Sequence, residues 1–238
     1  MNENYKKTKH KFIGNIPKNW KTTKLKNKCL ILPSNVDKKT KENELDVELC
    51  NYVDVYYNDY VTNSIDFMLA TATEKQYVKF KLKIGDVIIT KDSEDPNDIG
   101  IPSLVKEAKE NLLCGYHLTT IRSRMSDVLG HYIFWCLKDP MLATQLNKEA
   151  TGVTRWAISS RHIKNFVIPL PPLEEQIHIC KYLDEASERI NDIIRLKFGS
   201  SKIQNDDEMR SQIKILLEYK ESIIHECVTG KKQVVKPL

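Results

Sequence analysis

The chain changes from a strand pattern to a helix pattern within a few residues at positions 166–179, FVIPLPPLEEQIHI. Val167 and Ile168 are β-branched and apolar, and Pro169 lacks the N–H that a continuing β-ladder would use. We therefore predict that the strand ends at Pro169. Pro172 fits the first turn of a helix, where its missing donor costs nothing, and the two glutamates that follow suit the positive end of the helix dipole. The segment predicts a boundary between two regions, residues 1–171 and residues 172–238.

Two long amphipathic helices are predicted after this boundary. Apolar residues recur at alternating spacings of four and three, which is the pattern of a coiled-coil seam. The predicted seam consists of Ile179, Leu183, Ile190 and Ile193 in the first helix and Ile213, Leu217 and Ile224 in the second. A helix over 172–197 would be about 39 Å long, and its single apolar stripe requires a partner helix. The chain could provide that partner by folding back at Gly199, or a second molecule could provide it.

The region before the boundary is predicted to form a β-rich domain with short helices. Runs of β-branched and aromatic residues at 49–55 and 57–61 indicate strands, and Gly85 between two further runs indicates a hairpin. Helical spacing over 129–146 is interrupted by Pro140 and predicts two short helices. The predicted fold class is therefore α+β, with a β-rich domain followed by a long antiparallel coiled-coil-like helical region.

Positive charge is concentrated at the start of the chain. Residues 1–41 contain twelve Lys and Arg against two Asp and Glu, a net charge of +10, whereas the full chain carries +5. Two explanations remain open: the segment is a solvated lysine-rich arm, or it forms a surface that faces phosphates. The sequence has no run of about eighteen apolar residues, and so we predict a cytoplasmic protein that does not enter a membrane.

The sequence contains no G-x-G-x-x-G, Walker, H-E-x-x-H or G-x-S-x-G motif. One set of residues, Asp98 with Glu107 and Lys109, imitates the acidic-x-Lys metal site of many nucleases. In a chain that is 29% charged, such spacings also arise by chance. A metal-dependent nuclease is therefore the alternative to the leading hypothesis.

The β-rich domain, the basic start and the donor-rich loops favour a protein that binds DNA. Arginine and lysine read guanine edges, asparagine reads adenine, and all of them bind phosphates. The predicted DNA-binding residues lie on three loops and are Lys91, Ser93 and Asn97; Arg122 and Arg124; and Thr154, Arg155, Trp156, Ser159 and Arg161. Each of them could instead be a solvated surface residue, and Trp156 could anchor the core. The tyrosines between positions 52 and 60 could stack on bases or pack within strands.

Five segments give the chain its resemblance to one protein family, and one of them is Gly152 to Ile163, which leads toward the predicted helical region. IPLPPLEEQ at 168–176 and LLEYKESIIHECVTGKK at 216–232 are the more specific segments, and IPKNW at 16–20 and GDVIITKD at 85–92 are less so. With these segments, which span most of its length, the chain resembles the specificity subunit of type I restriction-modification systems.

The resemblance implies a non-catalytic DNA reader. In this family each target recognition domain reads one half of a split site, and conserved helices space the domains and dock modification (methyltransferase) subunits. Those subunits would methylate adenine with S-adenosylmethionine, whereas no cofactor is expected in this chain. A motor nuclease, the restriction subunit, is an optional further partner.

The chain departs from the family in length. Full-length members have two recognition domains and two helical regions, whereas this sequence has one of each and no internal repeat. With Met1 taken as a native start, we expect a half-length subunit that forms a homodimer and reads a palindromic interrupted site. A truncated gene product or a fragment would have the same sequence. A third hypothesis, from another class, is a coiled-coil adaptor whose front domain binds protein.

Overall fold

The computed structural model of the chain describes residues 4–198 and 207–234. In these residues the strands are β1 (Tyr5–Lys7), β2 (Asn15–Pro17), β3 (Lys21–Lys24), β4 (Cys29–Pro33), β5 (Leu45–Cys50), β6 (Tyr60–Val61), β7 (Met68–Ala72), β8 (Val87–Thr90), β9 (Asp92–Ser93), β10 (Pro102–Val105), β11 (Leu112–Cys114), β12 (Leu118–Ser123), β13 (Trp156–Ala157) and β14 (Val167–Leu170). The helices are α1 (Leu25–Lys28), α2 (Tyr52–Tyr56), α3 (Glu74–Phe80), α4 (Gly130–Lys138), α5 (Pro140–Asn147), α6 (Ser160–Asn165), α7 (Leu173–Phe198) and α8 (Asp207–Val228). A short 3-10 turn covers Pro96–Asp98.

The described strands form a five-stranded sheet, a three-stranded sheet and three two-stranded ladders. The larger sheet has the order β4-β12-β8-β10-β6, and the smaller has the order β11-β5-β7. Strand β10 is parallel to β6 and strand β11 is parallel to β5, whereas the other pairs are antiparallel. Helices α4 and α5 meet at Pro140, as the sequence predicts. The α+β fold class is confirmed.

The strands predicted at 49–55 and 57–61 are wrong over most of their length, because strand structure is confined to Leu49–Cys50 of β5 and Tyr60–Val61 of β6. Strand β5 ends at Cys50, and the tyrosine-rich residues after it form α2. Asp54 Oδ2 accepts a hydrogen bond from the backbone N–H of Asn51 at 2.7 Å, which fixes the first turn of this helix. Local capping therefore outweighs the strand propensity of the valines and tyrosines in the segment.

The predicted hairpin around Gly85 is also wrong. The residues before it form α3, whose first turn is closed by a capping box between Thr73 and Gln76. Gln76 N donates to Thr73 Oγ1 at 3.3 Å, and Thr73 N donates to Gln76 Oε1 at 3.0 Å. Gly85 does turn the chain, with a φ of +88°, but β8 then pairs with β10 and β12.

Pro169 lies inside β14, so the prediction that the strand ends there is wrong. Strand β14 forms a two-stranded antiparallel ladder with β3, in which Pro169 is opposite Thr22 and Leu170 is opposite Lys21. One side of a strand in such a ladder makes no ladder bonds, and proline is tolerated where its missing N–H would face that side. The strand therefore continues to Leu170, two residues before Pro172.

Glu175 joins the first turn of α7 to the amino-terminal segment. Its carboxylate accepts a hydrogen bond from Trp20 Nε1 at 2.7 Å and another from Asn19 Nδ2 at 2.9 Å. Trp20 itself is buried. The contact therefore links the IPKNW segment to the EEQ segment, which are 155 residues apart in sequence.

Gln176 joins the same turn to the loop before α4. Its side chain is fully buried, and its Oε1 accepts a hydrogen bond from the backbone N–H of Leu129 at 3.0 Å. Its Nε2 donates to the backbone oxygens of Asp127 at 2.9 Å and Pro171 at 3.0 Å. One amide side chain thus satisfies three buried or partly buried backbone groups and fixes where α7 begins.

The two long helices, α7 and α8, pack against each other. Ile224 and Val228 of α8 share a hydrophobic cluster with Ile179 and Leu183 of α7, which indicates that the end of α8 lies beside the start of α7. Further along the pair, Lys220 Nζ donates to Asn191 Oδ1 at 3.2 Å. The helices are therefore antiparallel, and the predicted fold-back at Gly199 lies outside the described residues.

The predicted seam is buried at one end of the helical pair and exposed at the other. Ile179, Leu183, Ile190 and Ile224 are 0 to 5% exposed. Ile193 and Leu217 are 40% and 44% exposed, and Ile213 is partly buried. The half of the pair beside the sheets is therefore part of the core, and the far half presents apolar side chains to solvent.

The largest hydrophobic core extends across the predicted boundary at 171/172. It combines Trp20 and Trp135 of the β-rich region with Ile179, Leu183 and Val228 of the helical pair. Two smaller clusters fill the spaces around the two larger sheets. None of the helices in residues 4–198 and 207–234 combines the length and the apolar character needed to cross a membrane.

Candidate nucleic-acid interface

The ladder between β9 and β13 brings two of the three predicted DNA-binding loops together. Trp156 is opposite Ser93 in this ladder, and Ala157 is opposite Asp92. Immediately beyond it, the backbone N–H of Ile158 donates to Lys91 O at 2.9 Å. The loop at 91–98 and the loop at 151–157 therefore form one surface, which we call the reading surface.

A tight turn raises the tip of the second loop above this ladder. The turn is closed by two hydrogen bonds between the backbones of Thr151 and Ala157, at 3.0 and 2.9 Å. A Cβ atom at Gly152 would lie 2.0 Å from Arg155 O, so a side chain cannot be accommodated without moving the backbone. Val153 is 96% exposed at the tip, and Thr154 and Arg155 are exposed beside it.

Arg155 is held by a polar cluster at the base of the turn. Its Nε donates to Asp92 Oδ1 at 2.8 Å, and its Nη2 lies 3.2 Å from His117 Nδ1. His117 Nδ1 also contacts Asp92 Oδ1, and the imidazole lies against Tyr116. Burial lowers the pKa of His117, and Asp92 opposes this effect. The cluster orients the Arg155 side chain while leaving much of it open to solvent, with 46% of the side chain exposed.

Three tyrosines border the reading surface, two in α2 and Tyr57 immediately after it. Tyr52 Oη lies 3.1 Å from Ser93 Oγ, and Tyr56 Oη donates to Asp98 Oδ1 at 3.2 Å. The rings of Tyr52 and Tyr56 stack with centroids 5.5 Å apart, and Tyr57 meets Tyr56 edge-on at 5.0 Å. Tyr57 is 78% exposed. The helix therefore places an aromatic platform beside the polar loops, which is the arrangement that stacks on exposed bases.

Other predicted residues of the first loop have roles within the fold. Lys91 Nζ donates to Ser34 O at 2.8 Å, and burial lowers the pKa of the ammonium group. Ser93 is buried beneath the ladder. Asn97 is exposed, and its backbone N–H donates to Asp95 Oδ1 at 2.8 Å. Of the three candidates in this loop, Asn97 is the one whose side chain is open to a ligand.

Arg122 is separate from the reading surface and is bound to Asp86. Its Nε and Nη2 donate to the two carboxylate oxygens at 2.7 and 2.6 Å, and Nη2 also donates to Lys81 O at 2.7 Å. Asp86 is 1% exposed. The hydrogen bonds that Arg122 donates to Asp86 raise the pKa of the guanidinium. This geometry is that of a structural ion pair within the five-stranded sheet.

Arg124, Ser159 and Arg161 lie around α1 and α6. Arg124 Nη2 donates to Lys26 O at 2.8 Å, and the residue is exposed. Ser159 occupies the N-cap position of α6, although its side chain makes no capping hydrogen bond. Arg161 is exposed in the first turn of the same helix. The ten predicted residues thus divide between the reading surface, the α1–α6 region and the isolated Arg122.

Sequence reasoning missed the contribution of α2 and of the Asp92–His117 contact. The asparagine and aspartate of the N-x-x-D pattern at 51–54 could have identified a helix start, and with it two tyrosines four residues apart on one helix face. Nothing in the local sequence indicates that His117 meets Asp92, because the contact joins positions 25 apart, one in β9 and the other in the turn before β12.

The predicted nuclease residues do not share an environment. Asp98 accepts from Tyr56, Glu107 Oε2 accepts from the backbone N–H of Asn63 at 2.9 Å, and Lys109 Nζ binds Glu48 at 2.7 Å. No group of three or more His, Cys, Asp or Glu side chains in the described residues is arranged to hold a metal ion. The geometry gives the nuclease alternative no support.

Two curated relatives are similar in sequence. A Methanocaldococcus jannaschii protein, assigned as the specificity subunit of the type I restriction enzyme MjaX, is 25% identical over 194 residues, which are 80% of this chain and 44% of the relative. The specificity subunit of the type I restriction enzyme EcoKI of Escherichia coli is 28% identical over 123 residues, which are 50% of this chain and 26% of the relative. The chain therefore spans less than half the length of the curated relatives it matches.

Two solved structures share the fold. A chain from a structure concerned with complex assembly and conformational transition of the type I R-M system has a TM-score of 0.57 and 20% identity, covering 91% of this chain and 47% of that chain. The HsdS subunit of Thermoanaerobacter tengcongensis has a TM-score of 0.54 and 18% identity, covering 97% and 49%. The family model of the type I restriction modification DNA specificity domain matches residues 7–197, and the chain belongs to that family.

Proposed function

We propose that this chain recognises one half of a split double-stranded DNA site and directs a modification subunit to it. The observation that carries the proposal is the β9–β13 ladder, which unites two polar loops and an aromatic helix on one exposed surface. Family membership favours DNA over protein as the partner of that surface. The alternative hypothesis of a coiled-coil adaptor gives no reason for exposing Arg155 on a turn that requires glycine at position 152.

Arg155 is the side chain best placed to read a base. Asp92 and His117 contact its Nε and Nη2, and 46% of the side chain remains exposed to solvent. A guanidinium that forms two parallel hydrogen bonds to guanine contributes about 1–3 kcal/mol of discrimination. Thr154 and Asn97 would add polar contacts, and Tyr57 would supply apolar surface.

The far half of the helical pair would form a homodimer. Leu196 is 81% exposed there, Ile215 is 61% exposed and Tyr219 is 57% exposed, and the seam residues Ile193 and Leu217 are exposed as well. Large apolar side chains exposed together at one end of a helical pair are commonly covered by a partner. Two copies related by a two-fold axis would read a palindromic interrupted site, with the helices setting the spacer.

The other partners follow from the family and are part of the proposal. A methyltransferase subunit would bind S-adenosylmethionine and methylate adenine, so this chain would need no cofactor of its own. A restriction subunit would join in complexes that cleave DNA. Such a chain would act in the cytoplasm, where the DNA of a prokaryotic host lies.

Selection from a randomised duplex library tests the reading function. The purified chain, with its modification subunit present, is expected to enrich an interrupted motif, and the enriched duplex should bind more tightly than a random one. Arg155→Lys removes the two-pronged donor while keeping the charge, so the preference should fall by about 10- to 100-fold with little change in random binding. The matched control is Arg189→Lys, which makes the same substitution at an exposed arginine of α7. Equal binding of selected and random duplexes by the unmodified chain would refute the proposed function.

The oligomeric state tests the homodimer separately. Leu196→Glu combined with Ile215→Glu places charge among the exposed apolar side chains of the far half of the helical pair, and we expect a monomer by light scattering after size-exclusion chromatography. The matched control is Val78→Glu on α3, which is 80% exposed outside the helical pair. A monomeric unmodified chain at micromolar concentration would contradict the dimer while leaving the reading surface untested by that result.

A further inference from the structure

A group of five exposed basic side chains surrounds the contact between α1 and α6. The two short helices pack against each other, and the backbone N–H of Leu25 donates to Phe166 O at 3.0 Å. Arg124 joins the group through its hydrogen bond to Lys26 O. We call this group the basic surface, and it consists of Lys24, Lys26, Arg124, Arg161 and Lys164.

Burial of one apolar residue in each helix determines which way the charges face. Leu25 in α1 is 0% exposed and Ile163 in α6 is 1% exposed, and both belong to the main core. Their neighbours Lys26 and Lys164 are exposed. A short amphipathic helix with one buried residue must present its remaining side chains to solvent, so both helices present positive charge on the outside.

Two acidic side chains that contact α1 or α6 are already engaged in ion pairs. Asp127 pairs with Lys28, and Glu149 Oε2 pairs with His162 Nδ1 at 3.0 Å. Within the described parts of the chain, the five members of the basic surface have no carboxylate within 4.0 Å. Like charges gathered without counter-charges repel one another, and such a surface attracts an anionic partner.

The basic surface lies next to the reading surface. Trp156 ends the ladder at one side, and Arg161 follows five residues later in the first turn of α6, so the chain between them spans at most about 18 Å. The backbone of Ile158 ties this connection to the first reading loop. The major groove of B-DNA is about 12 Å wide, so a group at this distance from a loop in the groove can reach the flanking phosphates.

We infer that the basic surface binds the phosphates of the DNA strand that borders the groove read by the loops. The inference rests on the proposed function, and it assigns Arg124 and Arg161 to phosphates rather than to bases. It adds Lys24, Lys26 and Lys164, which lie outside the predicted reading loops. Phosphate contacts fix the register of a protein on DNA and carry no sequence information, so this surface sets affinity and position while the loops set specificity.

Salt dependence separates these two roles. Each phosphate contact contributes about −0.9 to the slope of log K against log salt concentration, which is about eightfold in affinity between 1 M and 0.1 M salt. For Lys26→Gln combined with Lys164→Gln, the slope should therefore become shallower by about 1.8, with roughly 60-fold weaker binding at 0.1 M salt. The probes are the duplex selected from the random library and a random duplex of equal length, measured by fluorescence anisotropy with the full chain.

The expected result is equal weakening for both duplexes, with the ratio between them unchanged. The matched control is Lys181→Gln combined with Lys214→Gln, which removes two exposed charges from α7 and α8. A double variant with the slope and affinity of this control would overturn the inference. A loss of the selected-to-random ratio would overturn the division of roles.

The test also distinguishes failure of this inference from failure of the proposed function. If the unmodified chain binds both duplexes alike, the reading function fails, and the slope measured with the random duplex still decides whether the basic surface contacts phosphates. Thermal melting of each variant verifies folding, and because all four substituted lysines are exposed, we expect changes within about 0.5 kcal/mol.

Discussion

Replacement of Gln176 by alanine tests most directly what stabilises the boundary at 171/172, where β14 gives way to α7 and which we call the hinge. The amide is fully buried and makes three hydrogen bonds, to Leu129 N, Asp127 O and Pro171 O. Each bond contributes about 0.5–1.5 kcal/mol, and the backbone groups left without partners add a desolvation cost. We expect Gln176→Ala to lower the free energy of unfolding by about 2–5 kcal/mol.

Urea denaturation followed by tryptophan fluorescence would measure this change, because Trp20 and Trp135 lie in the same core. With a slope of about 2 kcal/mol per molar urea, the midpoint should fall by roughly 1–2.5 M. Gln176→Met has nearly the same volume but no amide, and so it separates lost hydrogen bonds from lost packing. Glu174 lies two residues before Gln176 and is exposed, so Glu174→Ala should change the free energy of unfolding by less than about 0.5 kcal/mol.

Two results would refute this reasoning. If Gln176→Ala shifts the midpoint no more than Glu174→Ala does, the three hydrogen bonds do not stabilise the hinge. If Gln176→Met is as stable as the unmodified chain, packing of the side chain is what matters and its polarity is irrelevant.

Three further predictions concern the ion pair, the turn and pH. Asp86→Ala leaves Arg122 without its carboxylate in a largely buried position, and we expect a loss of about 3–5 kcal/mol in urea denaturation. Gly152→Ala forces the turn at Arg155 O to move, so affinity for the selected duplex should fall about tenfold or more, while thermal stability changes by less than about 1 kcal/mol because the turn is exposed; unchanged affinity would show that the turn is not used. Asp184 of α7 accepts a hydrogen bond from Tyr60 Oη at 3.1 Å, lies 2.8 Å from His131 Nε2 and pairs with Lys106 Nζ at 3.6 Å. Burial raises the pKa of this carboxyl, but the three contacts outweigh burial and hold the pKa below the ordinary 3.8. The stabilisation is therefore full above pH 3.8 and is lost as pH falls through the lower native pKa, so the stability difference from Asp184→Asn should shrink in acid and would be constant if the carboxylate were not involved.

Elements that depend on local pattern could be predicted from the sequence. The long helices follow from apolar spacing, and the break between α4 and α5 follows from Pro140, because both signals act within a few residues. The errors at α2 and α3 have one cause. Both helices are short, and their caps decide the structure against residues of high strand propensity.

The candidate site could be predicted only loop by loop. Donor-rich loops are visible in sequence, and two of them do meet, but their meeting depends on the β9–β13 ladder between positions about sixty residues apart. The role of Arg122 depends on Asp86, which lies 36 residues earlier in the chain, immediately before β8. Long-range pairings of this kind leave no periodic pattern in the sequence, so only the structure reveals them.

The contacts of Glu175 and Gln176 have a consequence for how such a protein can acquire a new target. Both residues bind segments on the other side of the hinge, Trp20 near the amino terminus and Leu129 before α4. An exchange of sequence by recombination at the hinge alone would separate these matched pairs and disrupt one shared core. Variation confined to the loops at 91–98 and 151–157 leaves the pairs intact. New specificities should therefore arise by replacing these loops within a conserved frame, and hybrids joined inside that frame should fold more often than hybrids joined at residue 171.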